Sequence, residues 1–192
     1  VNLRIRADAL GLVAADYEHD RTRIDELYTG VTELEVDGAT IDAFYREGRM
    51  SPPEGSEPNQ FVQLVDRTNR SHTGVGRVDP SGERVEPLPR QRERIWGIGA
   101  RNREQSFALN LLLDDRVKLV TMVGKAGTGK TLLALAAALR KAHEEKLYQR
   151  VLVSRPIFPL GRDVGYLPGD IEEKLRPWMQ PIFDNLELLM GL

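Results

Sequence analysis

The chain has 192 residues, a formal net charge of −2, 41% hydrophobic and 29% charged residues, and no cysteine. This composition fits a globular fold with enough apolar material for one ordinary domain or two small ones, and it excludes disulfides and thiolate metal sites. No window approaches the roughly 18 apolar residues of a membrane-crossing helix, and no signal peptide opens the chain; a cytoplasmic protein with no membrane association is the expectation.

The sequence starts at Val1 and stops inside an apolar helical pattern, NLELLMGL, so it reads as an internal piece of a longer protein. Carboxylates outnumber arginines up to residue 100, the balance reverses beyond it, and every lysine lies in the second part. Such a shift predicts a boundary near residue 100.

In chain order, VNLRIRA reads as a strand and the following residues to 15 as helix-like. Residues 16–29 are charged and surface-like. TELEV at 32–36 alternates as a strand does, and a short amphipathic helix follows around Ile41, Phe44 and Tyr45. SPPEGSEPN (51–59) is a loop and FVQLV (61–65) a strand. Residues 66–82 predict hairpin material, with turns at Asn69 and at Asp79-Pro80-Ser81-Gly82. Arg84, Arg90, Arg92, Arg94, Arg101 and Arg103 dominate the next stretch, which reads as a linker. It is either a solvated arm or a contact for a nucleic-acid backbone.

Beyond residue 101 the pattern is regular. Gln105–Leu113 predicts a helix with Phe107, Ala108, Leu111 and Leu112 on one face. VKLVTMV (117–123) predicts a buried parallel strand, Thr131–His143 a helix, and Val151–Val153 the next strand. The order strand, helix, strand opens a doubly wound α/β domain. The tail from 169 to 192 reads as helix divided by Pro177 and Pro181.

Gly124-Lys125-Ala126-Gly127-Thr128-Gly129-Lys130-Thr131 satisfies G-x-x-x-x-G-K-[ST]. Glycines let the backbone wrap around phosphate at positive φ. Successive N–H groups then form an anion nest, and the following helix presents its positive dipole end there. Lys130 is expected to reach the β- and γ-phosphates, and the Thr131 hydroxyl to ligate Mg²⁺. Lys125 and Ala126 belong to the loop, but the motif requires neither side chain. Among these eight residues, Lys130 and Thr131 carry the catalytic expectation and all eight the cofactor-binding one.

The form G-x-A-G-T-G-K-T resembles the first motif of superfamily 1 helicases. In those proteins the glutamine of an N-x-x-Q element upstream reads the adenine edge. Here Asn102-Arg103-Glu104-Gln105 stands in that place, and a side-chain amide can donate to N7 and accept from N6 together. Gln105 is therefore expected to bind adenine, although it also reads as a helix start.

NREQSFALNLLLDD, VTMVGKAGTGKTLLALAAAL, VSRPIFPLGRDVGYLPGDIEEKL and PWMQPIFDNLELL together resemble the PhoH ATPase family. The resemblance extends to its longer form, in which a PIN nuclease domain precedes the ATPase, and it covers the whole chain. It implies three parts: residues 1–15 as the tail of a PIN-like domain, 16–100 as a β-rich connector and Arg-rich linker, and 101–192 as the first part of a RecA-like, superfamily 1 helicase-like ATPase domain with a parallel sheet. It further implies ATP and Mg²⁺ as cofactors, RNA as a partner whose unwinding or remodelling is coupled to ATP hydrolysis, and a homo-oligomer, often a hexameric ring.

Two departures limit the carry-over. The acidic residues that hold metal in the PIN domain lie upstream of Val1, and Asp8 and Asp16 do not replace them. No apolar strand ending in Asp-Glu, the expected Walker B element, occurs between Thr131 and Leu192, so the chain alone is expected to bind ATP with little turnover.

The remaining polar residues leave alternatives open. Arg155 reads as an RNA-phosphate contact or a salt-bridging residue at a strand end. Arg162, in a glycine-rich loop, reads as an RNA- or subunit-facing residue. Asp163 and Asp170 read as turn or cap residues, and Trp178 and Phe183 as packing residues. His19, His72 and His143 are scattered, against a histidine-based metal or nucleophile site. A rival from another class is a binding module whose nucleotide is structural or regulatory. A small-molecule kinase does not account for residues 154–175, and the N-K-x-D motif of a GTPase is missing.

Overall fold

The period-two pattern after Gly30 forms β1 (Val31–Val36), and the amphipathic stretch after Asp37 forms α1 (Gly38–Glu47). Both belong to the first of two units, Val1–Leu88 and Pro89–Leu192. The computed structural model describes residues 6–7, 9–11, 28–89, 94–155 and 171–191.

In the first unit α1 returns the chain so that β2 (Phe61–Asp66) pairs parallel to β1. β3 (Thr73–Val78) and β4 (Val85–Pro87) then add antiparallel, giving a mixed sheet in the order β1-β2-β3-β4. Ile41 and Phe44, three apart on one face of α1, pack with Val62, Leu64, Val78 and Val85 to make the core. Gly48, at φ 69, ends the helix, and its N–H donates to the Phe44 carbonyl at 2.9 Å. Strands 32–36 and 61–65, the helix, the 51–59 loop and the hairpin stand as the sequence predicts. Of the opening segment, Arg6 and Ala7 are helical rather than strand, and residues 1–5 and 12–27 lie outside the described residues.

Two carboxylates hold the turns between these strands. Asp66 Oδ1 accepts from the Thr68 N–H and hydroxyl, both at 2.8 Å, and from the Asn69 N–H at 3.3 Å, while Oδ2 lies 3.2 Å from His72 Nδ1. The Thr68 N–H and then its hydroxyl do most to lower the Asp66 pKa from 3.8 to about 2, with burial opposing them. Asp79 is lowered in the same way, chiefly by the Ser81 hydroxyl, which donates to it at 2.6 Å. A depressed folded pKa means that the native state binds fewer protons than the unfolded chain. The contribution of Asp66 is thus complete above 3.8 and is lost as the pH falls through about 2. Thermal unfolding followed across that window is expected to show a flatter acid decline for Asp66→Asn than for the native chain. An unchanged slope would mean that this carboxylate does not set it.

The second unit holds α2 (Arg103–Leu113), α3 (Lys130–Leu139), a π-helical turn (Arg140–Glu144) and α4 (Ile171–Met190). Its core joins Ile95, Leu109, Leu133, Leu135, Ala136, Ile182 and Leu189. Leu109, at 1% exposure, is the most buried residue of α2; the sequence reading places Leu111 on the packing face and omits Leu109. The π turn carries Lys141, whose ammonium donates to the Leu113 carbonyl at 3.0 Å and pairs with Asp115. This buried amine ties the C-terminal end of α2 to the end of α3.

Four expectations are corrected in this unit. Residues 117–123 and 151–153 form no strand among the described residues, so the expected parallel sheet of the ATPase part is not present there; the α/β character comes from the mixed four-stranded sheet of the first unit. Leu119 and Leu152 are each 81% exposed. An apolar run becomes a strand only when neighbours take up its N–H and C=O groups, and among the described residues none does. Next, α4 runs unbroken through Pro177 and Pro181. Each proline removes one backbone donor, and Ile182 and Leu189 anchor the later part of the helix in the core. Finally, Phe183 is 44% exposed rather than packed. Asp163 and Asp170 lie outside the described residues.

Candidate nucleotide-phosphate site

The glycine loop takes its shape from two left-handed residues, Gly127 at φ 78 and Gly129 at φ 86. Gly129 is the N-cap of α3, so the helix begins on the motif lysine. A side chain at either position would be strained, which is the physical reason for glycine in both places. The Thr128 hydroxyl donates to the Lys125 carbonyl at 2.9 Å and closes the turn. Residues 124–128 are exposed, Gly129 and Lys130 half-buried and Thr131 exposed at the start of α3.

Lys130 folds over this loop. Its ammonium donates to the Gly124 carbonyl at 2.9 Å, the Lys125 carbonyl at 2.7 Å and the Thr128 hydroxyl at 3.2 Å. The charge thus sits against the loop backbone at the positive end of α3, a concentration of donors and cation that favours an anion. Thr131 stands in the first turn of α3 and is exposed. Among the described residues no group of three or more His, Asp or Glu side chains is placed to hold a metal.

Gln105 reaches the same loop from α2. Asn102 caps that helix, accepting from the Gln105 N–H at 2.8 Å, and the Gln105 Oε1 accepts from the Arg101 N–H at 2.8 Å. This is close to a capping box, with Asn in place of Ser or Thr and the glutamine reaching one residue further back. The side-chain Nε2 donates to the Thr128 carbonyl at 3.2 Å.

Of the two arginines expected to meet RNA, one lies among the described residues. Arg155, which is exposed, donates from Nη1 to the Trp178 carbonyl on α4 at 2.9 Å. Arg162 lies outside the described residues. The sequence names Asn102 only as part of the N-x-x-Q element, without its capping role, and gives Lys141 no role. The first had a signal, a capping residue three before a glutamine at a helix start; the second had none, because a lysine on a helix looks solvent-exposed until its neighbours are known.

A family model described as PhoH-like protein matches residues 97–192. The chain is 46% identical over its whole length to Protein PhoH2 of Bacillus subtilis, covering 44% of that protein. The chain belongs to the PhoH family. Protein PhoH2 of Mycolicibacterium smegmatis is 38% identical over 97% of the chain and 42% of its own length, and Protein PhoH of Escherichia coli is 37% identical over 67% of the chain and 37% of its own length. The chain therefore spans less than half of these PhoH relatives. No solved structure matches it. The PhoH match contains both Gln105 and the glycine loop, and no helix among the described residues is long and apolar enough to cross a membrane.

Proposed function

We propose that this chain is the ATP-binding portion of a PhoH-type ATPase and that its parent couples ATP hydrolysis to RNA unwinding or remodelling beside a PIN ribonuclease domain. The observation that carries the reading is the loop Gly124–Thr131, with two left-handed glycines at the head of α3 and the Lys130 ammonium lying over it. Backbone N–H groups, a helix N-terminus and one fixed cation suit a triphosphate. Thr131 would hold Mg²⁺, which when bound neutralises charge on the β- and γ-oxygens. Gln105, beside the loop, keeps one amide N–H and one oxygen lone pair available for an adenine edge after its two internal bonds are counted. A helicase-like RecA domain, a homo-oligomeric, hexameric assembly of the parent, RNA contact and a cytoplasmic location belong to the same reading.

A second reading is a module that uses ATP only as a structural or regulatory ligand, without useful hydrolysis. ATP turnover by the parent protein, measured with and without RNA, separates the two. RNA-stimulated release of phosphate is expected, and tight ATP binding with no turnover in either condition would establish the second reading.

A further inference from the structure

We propose that Gln105 is a positioning residue of the phosphate loop, acting through the Thr128 carbonyl and not only on a base. The inference rests on the reading of residues 124–131 as a triphosphate site.

The Thr128–Gly129 peptide is the pivot. Its carbonyl accepts from Gln105 Nε2 at 3.2 Å. A trans peptide holds its C=O and N–H on opposite sides of one plane, so pinning the carbonyl toward Gln105 turns the Gly129 N–H away from it. Without that clamp the plane can rotate, and a carbonyl rather than an N–H would face an incoming anion. Such rotation is easy here because glycines stand on both sides of Thr128, at φ 78 and 86.

The clamp is itself rigid. Gln105 Oε1 is fixed by the Arg101 N–H, and its own N–H by Asn102. Two residues further on, Phe107 and then Leu109 are buried, which anchors α2. The amide also fits closely over the loop: a Cβ on Gly129 would come within 3.2 Å of Gln105 Nε2. Gly129 is thus required for its φ, and an added Cβ would in addition crowd this side chain. One amide would then serve both ends of a nucleotide, so that filling the base position stiffens the phosphate position.

The test uses Mg²⁺-supported binding of ATP, GTP and inorganic tripolyphosphate by calorimetry, with the native chain, Gln105→Ala, Gln105→Glu and Lys130→Ala. Tripolyphosphate has no base, so base reading cannot affect it. Gln105→Ala is expected to weaken tripolyphosphate about five-fold, the loss of one hydrogen bond. Gln105→Glu keeps the acceptor for the Arg101 N–H but sets an oxygen against the Thr128 carbonyl, and is expected to weaken it at least as much. Tripolyphosphate binding unchanged in Gln105→Ala while ATP binding falls would overturn the proposal, leaving base reading alone. Restoration of native affinity by Gln105→Glu would overturn it too, since helix capping would then account for the residue. A native chain that binds ATP but not tripolyphosphate would overturn it as well. Failure of the underlying reading looks different: the native chain binds none of the three, or Lys130→Ala binds them all as the native chain does.

Discussion

Lys130→Ala is expected to weaken Mg–ATP binding about 100-fold, near 3 kcal/mol, the range of a charge-assisted hydrogen bond lost with its ion. The Lys130 ammonium rests on the Gly124 and Lys125 carbonyls and the Thr128 hydroxyl. A bound triphosphate offers it stronger acceptors at the same place, so little rearrangement stands between the two arrangements. Alanine removes the cation and also releases three loop groups that it holds together. The neighbouring Lys125 is the control: its backbone carbonyl takes part but its exposed side chain does not, so Lys125→Ala is expected to change affinity by no more than about two-fold. Calorimetric titration of both variants with a non-hydrolysable ATP analogue checks this, and equal binding by native chain and Lys130→Ala would refute the assignment of the loop.

Gly76→Ala is expected to lower the stability of the first unit by about 3 kcal/mol, at the upper end for overpacking a close-packed site. Gly76 lies on β3 where the sheet meets α1. An added Cβ would stand 2.6 Å from Val85 Cγ1, 2.7 Å from Phe44 Cζ and 2.8 Å from the Glu86 carbonyl oxygen. Phe44 and Val85 are both buried in the core and Glu86 Oxygen is backbone, so no flexible side chain can give way. Gly74, where the nearest atom is 3.2 Å away, is expected to tolerate alanine better. Denaturant unfolding of the two variants ranks them; equal midpoints would mean that α1 shifts to admit the methyl group.

The first unit was legible because its signals are local. Alternation in VTELEV and FVQLVD, turn residues at Asn69 and at 79–82, and the spacing of Ile41 and Phe44 each act within a few residues. The second unit was legible only where helices are concerned. VKLVTMV and Val151–Val153 carry the composition of buried strands, yet a strand is completed by partners distant in sequence, and the described residues bring none to them. Pro177 and Pro181 suggested a break that packing of Ile182 and Leu189 overrides. In the site, the glycines by themselves specify a left-handed turn, because only glycine adopts it without strain. NREQ announced a glutamine with a task, but not that the amide would hold Arg101 and Thr128 at once.

By itself, then, the sequence determined the local chemistry: a glycine loop ending in Lys130-Thr131 at a helix start, a capped α2, and the pattern of a small mixed sheet. The tertiary structure decided which groups meet. It placed Gln105 on the Thr128 carbonyl, buried Lys141 against the end of α2, brought Arg155 to the Trp178 carbonyl and left Leu119 and Leu152 in solvent. The division follows from range. Turn, cap and helix preferences are written in neighbouring residues, whereas strand pairing and side-chain hydrogen bonds across elements depend on groups that only the folded chain brings within about 3 Å.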